Sequence, residues 1–214
     1  MIITILVDNL RSWIVPHAER LVRELRALVH EVHYVHEHSE VVKGELAFFL
    51  GCERLVKPET LAKNKHNLVV HESALPAGKG WSPLTWQILE GKNDIPITLF
   101  EAQESVDSGD IYLQDEMHFE GHELNSELKH AQGRKTMELV KKFVAAYPNI
   151  PGRKQHGEES FYLRRIAKDS EIDPNKTIAE QFNLLRVVDN ERYPAFFRYK
   201  EKKYILKIEK AQEN

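Results

Sequence analysis

The stretch VVHESALPAGKGWSP (Val69–Pro83) begins as apolar β-formers, passes through a histidine and ends in a Pro/Gly loop. Further on, EAQESVDSGDIY (Glu101–Tyr112) sets Asp107 in a Ser-Gly turn between two more apolar runs. A strand ending at His71 and a turn holding Asp107 are how a fold brings an acid–base pair to the carboxyl ends of neighbouring strands. Open α/β sheets keep their ligand crevices at that edge.

Outward from this stretch the pattern alternates. Ile2–Val7 is a short β-branched run with the texture of a buried parallel strand. Ile14, Ala18, Leu21, Val22, Leu25 and Leu28 repeat at helical spacing. This predicts a helix from Trp13 to about Leu28, with Ser12 as N-cap and Pro16 in the first turn. Val32–Val35, Leu46–Leu50 and Leu68–Val70 read as further strands, so βα repeats dominate the first half. The expected fold is α/β, a mostly parallel sheet wrapped by helices. A helix over Pro83–Leu89, strands at Ile97–Phe100 and Asp110–Gln114, and one long or two broken helices over Leu124–Ala146 complete a domain of residues 1–150. The run Tyr147–Gly152 breaks the pattern. Residues 151–214 then read as a small module: a helix near Ile178–Val187 and a hairpin of Phe196–Tyr199 with Lys203–Ile208.

The chain has 214 residues, 42 % hydrophobic and 29 % charged, with a formal net charge of −3. That balance supports a sizeable core and lacks the basic stripe of a nucleic-acid binder. No stretch approaches the roughly 20 apolar residues of a membrane span. MIITILVDN (Met1–Asn9) lacks the basic start of a signal peptide, so a soluble cytoplasmic protein is expected. The single cysteine, Cys52, excludes an intrachain disulfide and fits a reducing compartment. Its setting, FFLGCERL (Phe48–Leu55), favours a buried inert thiol over a nucleophile. His30, His33, His36 and His38 alternate along a strand and its end, which favours a solvated surface over a metal site.

His71 has two readings: a donor to a developing oxyanion and proton relay, or a histidine satisfied by loop backbone. Asp107 likewise either orients and charges an imidazole or bonds its own turn. The low side-chain bulk of the loop, with Ser73, Gly78 and Gly80, lets a ligand approach the backbone.

The order strand–His71–x–Ser73–x–Leu75–Pro76–x–Gly78, followed about 36 residues after the histidine by Val106-Asp107-Ser108-Gly109-Asp110-Ile111, resembles the N10-formyltetrahydrofolate-dependent formyltransferases. These include glycinamide-ribonucleotide, methionyl-tRNA and sugar-nucleotide formyltransferases. The likeness covers most of Leu46–Val144. RRIAKDSEID (Arg164–Asp173) and FNLLRVVDNERYPAFF (Phe182–Phe197) are similar to the C-terminal region of the sugar and methionyl-tRNA members. The resemblance implies a Rossmann-like formyltransferase domain with a small C-terminal helix and β-hairpin module. The family's catalytic residues are an asparagine, a histidine two residues on, and an aspartate; the last two fall on His71 and Asp107. Val69 stands at the asparagine's position, and Asn67 is the nearest replacement, roughly 7 Å back along the strand.

The chemistry so implied is attack of a primary amine on the formyl carbon of N10-formyltetrahydrofolate. His71 stabilises the oxyanion, Asp107 shuttles protons, and no metal is required. By the same resemblance the folate is held by Phe49, Leu50, Gly51, Cys52, Arg54 and Asp107. The amine substrate lies over Asp8, Asn9, Arg11, Ser12 and Trp13, where Arg11 and the following helix would meet a pyrophosphate. Ser73, Lys79 and Trp81 flank it from the histidine loop, with Trp81 either a stacking face or a core residue. Arg186, Asn190 and Tyr193 reach it from the tail or pack the module.

His71–Ala102 and Val187–Ile208 are most similar to the sugar-nucleotide N-formyltransferase of bacterial pseudaminic-acid biosynthesis. That likeness implies a UDP-linked 4-amino-4,6-dideoxy-N-acetyl-altrosamine as acceptor, with no nucleic-acid or membrane partner. From Pro151 onward 14 Lys and Arg face 11 Asp and Glu, a balance too mild to argue for tRNA. A methionyl-tRNA-type formyltransferase and a non-catalytic folate or nucleotide binder are the alternatives. The aromatic terminal hairpin is suited to pairing with a second copy, a homodimer.

Overall fold

The computed structural model describes residues 1–211. Its elements in chain order are β1 (Ile2–Leu6), α1 (Val15–Ala27), β2 (Glu31–Val35), β3 (Gly44–Phe49), α2 (Pro58–Leu61), β4 (Asn64–His71), β5 (Lys79–Gly80), α3 (Pro83–Leu89), β6 (Asp94–Glu101), β7 (Ile111–His118), α4 (Asn125–Ala146), β8 (Phe161–Tyr162), α5 (Phe182–Val187), β9 (Ala195–Tyr199) and β10 (Lys202–Leu206).

Six strands form one sheet in the order β2-β1-β3-β4-β6-β7. The pairs β1–β2, β1–β3 and β3–β4 are parallel. The expected α/β fold with its mostly parallel core is present, extended by an antiparallel wing at β4–β6 and β6–β7. β6 enters the sheet from the end where β4 finished, pairing His71 with Thr98 and Leu68 with Glu101, and so runs back against it.

Strand pleating divides the core. Ile3, Ile5, Leu46, Phe48, Leu68, Ile97 and Leu99 face α1, α3 and α4 and are fully buried. Leu6, Ala47 and Phe49 point to the opposite face and pack with Val69 and Cys52. On α4, Leu128, Gln132, Thr136, Leu139, Val140 and Phe143 line one buried stripe.

Local readings shift in three places. α1 is capped at Ile14 with no side-chain bond, so Ser12 is not the N-cap; its carbonyl accepts the Val15 N–H instead. Leu124–Ala146 is one unbroken helix after its first residue, and the Glu127 side chain closes its N-terminus by accepting the Leu124 N–H. The tail helix is shorter than its periodicity suggests, since Ala179–Gln181 winds as a 3-10 turn before α5. The β9–β10 hairpin turns through Lys200 and Glu201, both at positive φ, as a tight two-residue loop requires.

The pattern break at Tyr147–Gly152 ends α4, but the chain beyond it does not leave the first domain. Arg153 bridges to Ile111, and β8 pairs with β5 inside the histidine loop. α5, β9 and β10 gather around a second small core of Ile172, Leu185, Val188 and Ala195, while Val187 of α5 joins the main one. No helix among the described residues is long and apolar enough to cross a membrane.

Candidate active site

β4 delivers His71 to the carboxyl edge of the sheet with its side chain 9 % exposed. Its Nε2 stands 2.8 Å from the Gly78 carbonyl. A carbonyl only accepts, so Nε2 carries the proton. The same nitrogen lies 3.7 Å from Asp107 Oδ2. Asp107 occupies the β6–β7 turn at φ +49°, a left-handed geometry that aspartate tolerates. Its Oδ2 accepts the Gly80 N–H at 2.8 Å, and its carbonyl accepts from the Gln155 side chain at 2.9 Å. The two halves of the pair are thus positioned by backbone, one loop bracing both.

That loop is clamped by β8. Gly78 N–H donates to Ser160 Oγ, and the backbone N–H groups of Lys79 and Trp81 donate to the carbonyls of Ser160 and Tyr162. Gly80 has φ +95°, and a Cβ there would stand 2.5 Å from the Tyr162 carbonyl oxygen. Only glycine lets β5 approach β8 so closely.

A crevice of about 550 Å³ opens over the pair, within the range of small-molecule sites. One side is the loop Phe49–Val56. Gly51 turns it at φ +60°. Asp8 fixes it from beneath: its carboxylate, 1 % exposed, accepts the backbone N–H groups of Glu53 and Arg54 at 2.9 and 3.0 Å. Burial works to raise the Asp8 pKa, but those two N–H donors, with His38 and the Arg54 side chain, outweigh it and hold the carboxyl below its ordinary value.

The crevice gathers Ser12, Trp13, Phe49, Leu50, Gly51, Cys52, Arg54, His71, Trp81, Asp107 and Tyr193 of the expected site residues. The Cys52 thiol is pushed up to about 12, first by burial and then by the Asp8 charge, which matches an unreactive wall residue. Trp81 presents one face to the Arg164 guanidinium, 4.5 Å from its ring centre.

Other expected residues lie elsewhere. Asn67 does not reach the crevice, because its Nδ2 donates to the Leu61 carbonyl at 2.8 Å behind the sheet edge. Val69 holds the wall position and packs on Leu75, Phe100 and Ile111. Asp8 supports the loop rather than facing a ligand. Asn9 donates to Glu53 and accepts the Arg11 N–H, and the Arg11 side chain points to solvent. Ser73 is 2 % exposed behind the loop, its carbonyl accepting from Thr98. Lys79 is turned away by the β5–β8 pairing and bonds Glu159 at 2.6 Å. Arg186 is fully buried, bonded to Asn93 and Glu123. Asn190 closes on both backbone groups of Ile208. Three of the histidines after α1 are engaged singly: His33 with Glu31, His36 with the Val7 carbonyl, His38 with Asp8.

The structure adds wall residues that sequence reading missed. Glu72 follows His71, and Lys129 and Gln132 project from α4, joined at 2.9 Å. A signal existed for Gln132 and Thr136, polar residues on a stripe otherwise apolar. Arg165 enters only through the fold, carried in by the chain after β8.

The mostly parallel sheet covered by helices is a Rossmann-like domain, and the histidine–aspartate pair is its candidate site. The model of the formyl transferase family matches residues 24–142, more than half of the sequence, and the chain belongs to that family. Methionyl-tRNA formyltransferase of Bacillus thuringiensis is 32 % identical over 157 residues, 71 % of this chain and 49 % of that protein. The chain spans about half the length of the curated relatives it matches. The solved methionyl-tRNA formyltransferase from Clostridium thermocellum superposes with a TM-score of 0.81 at 19 % identity, covering 99 % of this chain and 93 % of that one. A sugar N-formyltransferase from a Shewanella species superposes with a TM-score of 0.74 at 15 % identity, covering 100 % and 99 %. Both likenesses concern the fold.

Proposed function

We propose that this protein transfers the formyl group of N10-formyltetrahydrofolate to the primary amine of a small acceptor, an amino sugar linked to a nucleotide. The observation that carries the reading is the His71–Asp107 pair, 3.7 Å apart on the floor of one crevice. The Phe49–Val56 loop, with the Gly51 turn, walls the folate side. The acceptor nitrogen attacks the formyl carbon, forming a new C–N bond. The His71 Nε2–H leaves the Gly78 carbonyl and donates to the developing oxyanion. On collapse the bond from carbon to folate N10 breaks. The amine loses one proton and N10 gains one, passed by Asp107 through water or through His71. Holding both reactants in one crevice supplies much of the rate.

A second reading has a specific observation behind it. Val69 places an apolar wall where the family has an asparagine, so a folate or nucleotide binder without transfer is the competing function. Purified protein, N10-formyltetrahydrofolate and a panel of UDP- and dTDP-linked amino sugars separate the two. Release of tetrahydrofolate with one acceptor supports transfer. Folate binding without turnover on any sugar or on methionyl-tRNA leaves the binder. Turnover on methionyl-tRNA alone replaces the sugar with tRNA.

A further inference from the structure

Glu72 is a buried carboxylate that the transfer chemistry leaves unused. It stands one residue past the end of β4, directly after His71, and is 8 % exposed. Its backbone is held from two sides. The Ser73 N–H donates to the His71 carbonyl at 3.0 Å, closing a three-residue turn centred on Glu72. The Glu72 carbonyl accepts from Gln87 Nε2 of α3 at 2.6 Å. Its side chain, in contrast, makes no hydrogen bond among the described residues, and none of their Lys, Arg or His nitrogens lies within 4 Å of it.

That isolation belongs to the crevice, which Glu72 lines together with Trp13, His71 and Lys129. The Lys129 ammonium on α4 is close enough to feel the Glu72 charge, which opposes the fall that burial imposes on the lysine pKa. The two do not pair. Lys129 Nζ donates to Gln132 Oε1 at 2.9 Å and stands 4.7 Å from the Trp13 ring centre. A buried carboxylate without a donor is costly, and here the neighbouring lysine is engaged elsewhere. A small entering cation with several N–H donors would satisfy it. A primary ammonium carries three on one atom.

We propose that Glu72 binds the primary ammonium of the acceptor and thereby selects an amine over a hydroxyl. The proposal rests on reading the crevice as the formyl-transfer site. Consecutive Cα atoms stand about 3.8 Å apart, so the amine is held next to the residue that meets the oxyanion. Before attack the ammonium releases one proton to water, which frees the lone pair and leaves two N–H donors for the carboxylate. Glu72 binds and orients the nitrogen and takes no proton itself.

The test pairs each of several UDP- and dTDP-linked 4-amino-4,6-dideoxy sugars with its 4-hydroxyl counterpart. Calorimetry on the full chain gives both affinities, with 5-formyltetrahydrofolate for the folate side. At least one amine is expected to bind the wild type about tenfold more tightly than its hydroxyl partner. Glu72→Gln keeps the shape and removes the charge. It should weaken that amine by about tenfold, with the hydroxyl compound and folate within about twofold of wild type. Glu72→Asp, whose charge sits one methylene short, should retain part of the preference, and circular dichroism checks that each variant is folded. A wild type that binds no amine, or no amine better than its hydroxyl partner, overturns the assignment. So does a folded Glu72→Gln that keeps the preference, whatever its Tm. Turnover with an unchanged acceptor KM in Glu72→Gln keeps the transfer reaction and removes Glu72 from it. A preference that depends on Glu72 without any folate binding keeps the amine site and removes the proposed transfer.

Discussion

His71 Nε2 lies 3.7 Å from Asp107 Oδ2, beyond hydrogen-bond reach, while it donates to the Gly78 carbonyl at 2.8 Å. The resting pair is therefore near contact but not engaged. In the proposed reaction the Nε2 proton must leave the Gly78 carbonyl before it can reach an oxyanion.

Both members of the pair should be essential for turnover, and His71 dispensable for folate binding. His71→Ala and Asp107→Ala should each lower kcat by about 10²-fold or more. Folate affinity, read by fluorescence or calorimetry, should change little in His71→Ala. Near-wild-type kcat in either variant removes that residue from the chemistry.

Asp8 should act through the loop it holds. Asp8→Asn weakens the bonds to Glu53 and Arg54 N–H and should raise the folate KM by about tenfold while leaving kcat nearly unchanged. Its pKa is lower folded than unfolded. The folded state thus releases the proton more readily, and the stabilisation is fully present above the ordinary value of 3.8 and lost as pH falls through the folded value. Thermal melts should show a constant gap between wild type and Asp8→Asn near neutrality. The gap should close on acidification below about pH 4. A gap that widens in acid contradicts this role.

Gly80→Ala tests the clamp between β5 and β8. A methyl group there meets the Tyr162 carbonyl oxygen at 2.5 Å in a backbone with φ +95°. The variant should lose about 1–3 kcal/mol. Because the Gly80 N–H also holds Asp107, kcat should fall in molecules that remain folded. Unchanged activity at reduced Tm would separate the clamp from the catalytic pair.

Arg186 should behave as a structural residue. Arg186→Met strands Glu123 and Asn93 and should cost about 3 kcal/mol, or about 6–12 °C in Tm. KM for both substrates should stay near wild type. A selective rise in acceptor KM without loss of Tm would return Arg186 to the substrate site.

The readable parts share a cause. β1, β3 and β4 show as apolar runs because their residues are buried by covering helices, and His71 shows because it ends one such run. Gly51 and Asp107 were legible as turn residues with constrained backbone. Asn67 shares a strand face with Val69 but lies two residues back, and its side chain bonds the Leu61 carbonyl. Position along the strand, not face, decides which side chain reaches the crevice. Arg186, which the sequence left between a substrate and a packing role, bonds Asn93 and Glu123, and Lys79 bonds Glu159; a charged residue in a motif-like stretch looks identical whether it pairs inside the fold or faces a ligand.

The sequence by itself determined the elements of the α/β domain, the placing of His71 at a strand's end and of Asp107 in a tight turn, and the family likeness those positions carry. These are local properties, set by side-chain periodicity and backbone preference over a few residues. The tertiary structure alone decided that β6 returns antiparallel and that β8 clamps the histidine loop. It also decided that Arg165 and Lys129 share a crevice with His71 and Asp107. Such contacts join segments far apart in the chain through backbone pairing and burial, and neither leaves a pattern in neighbouring residues.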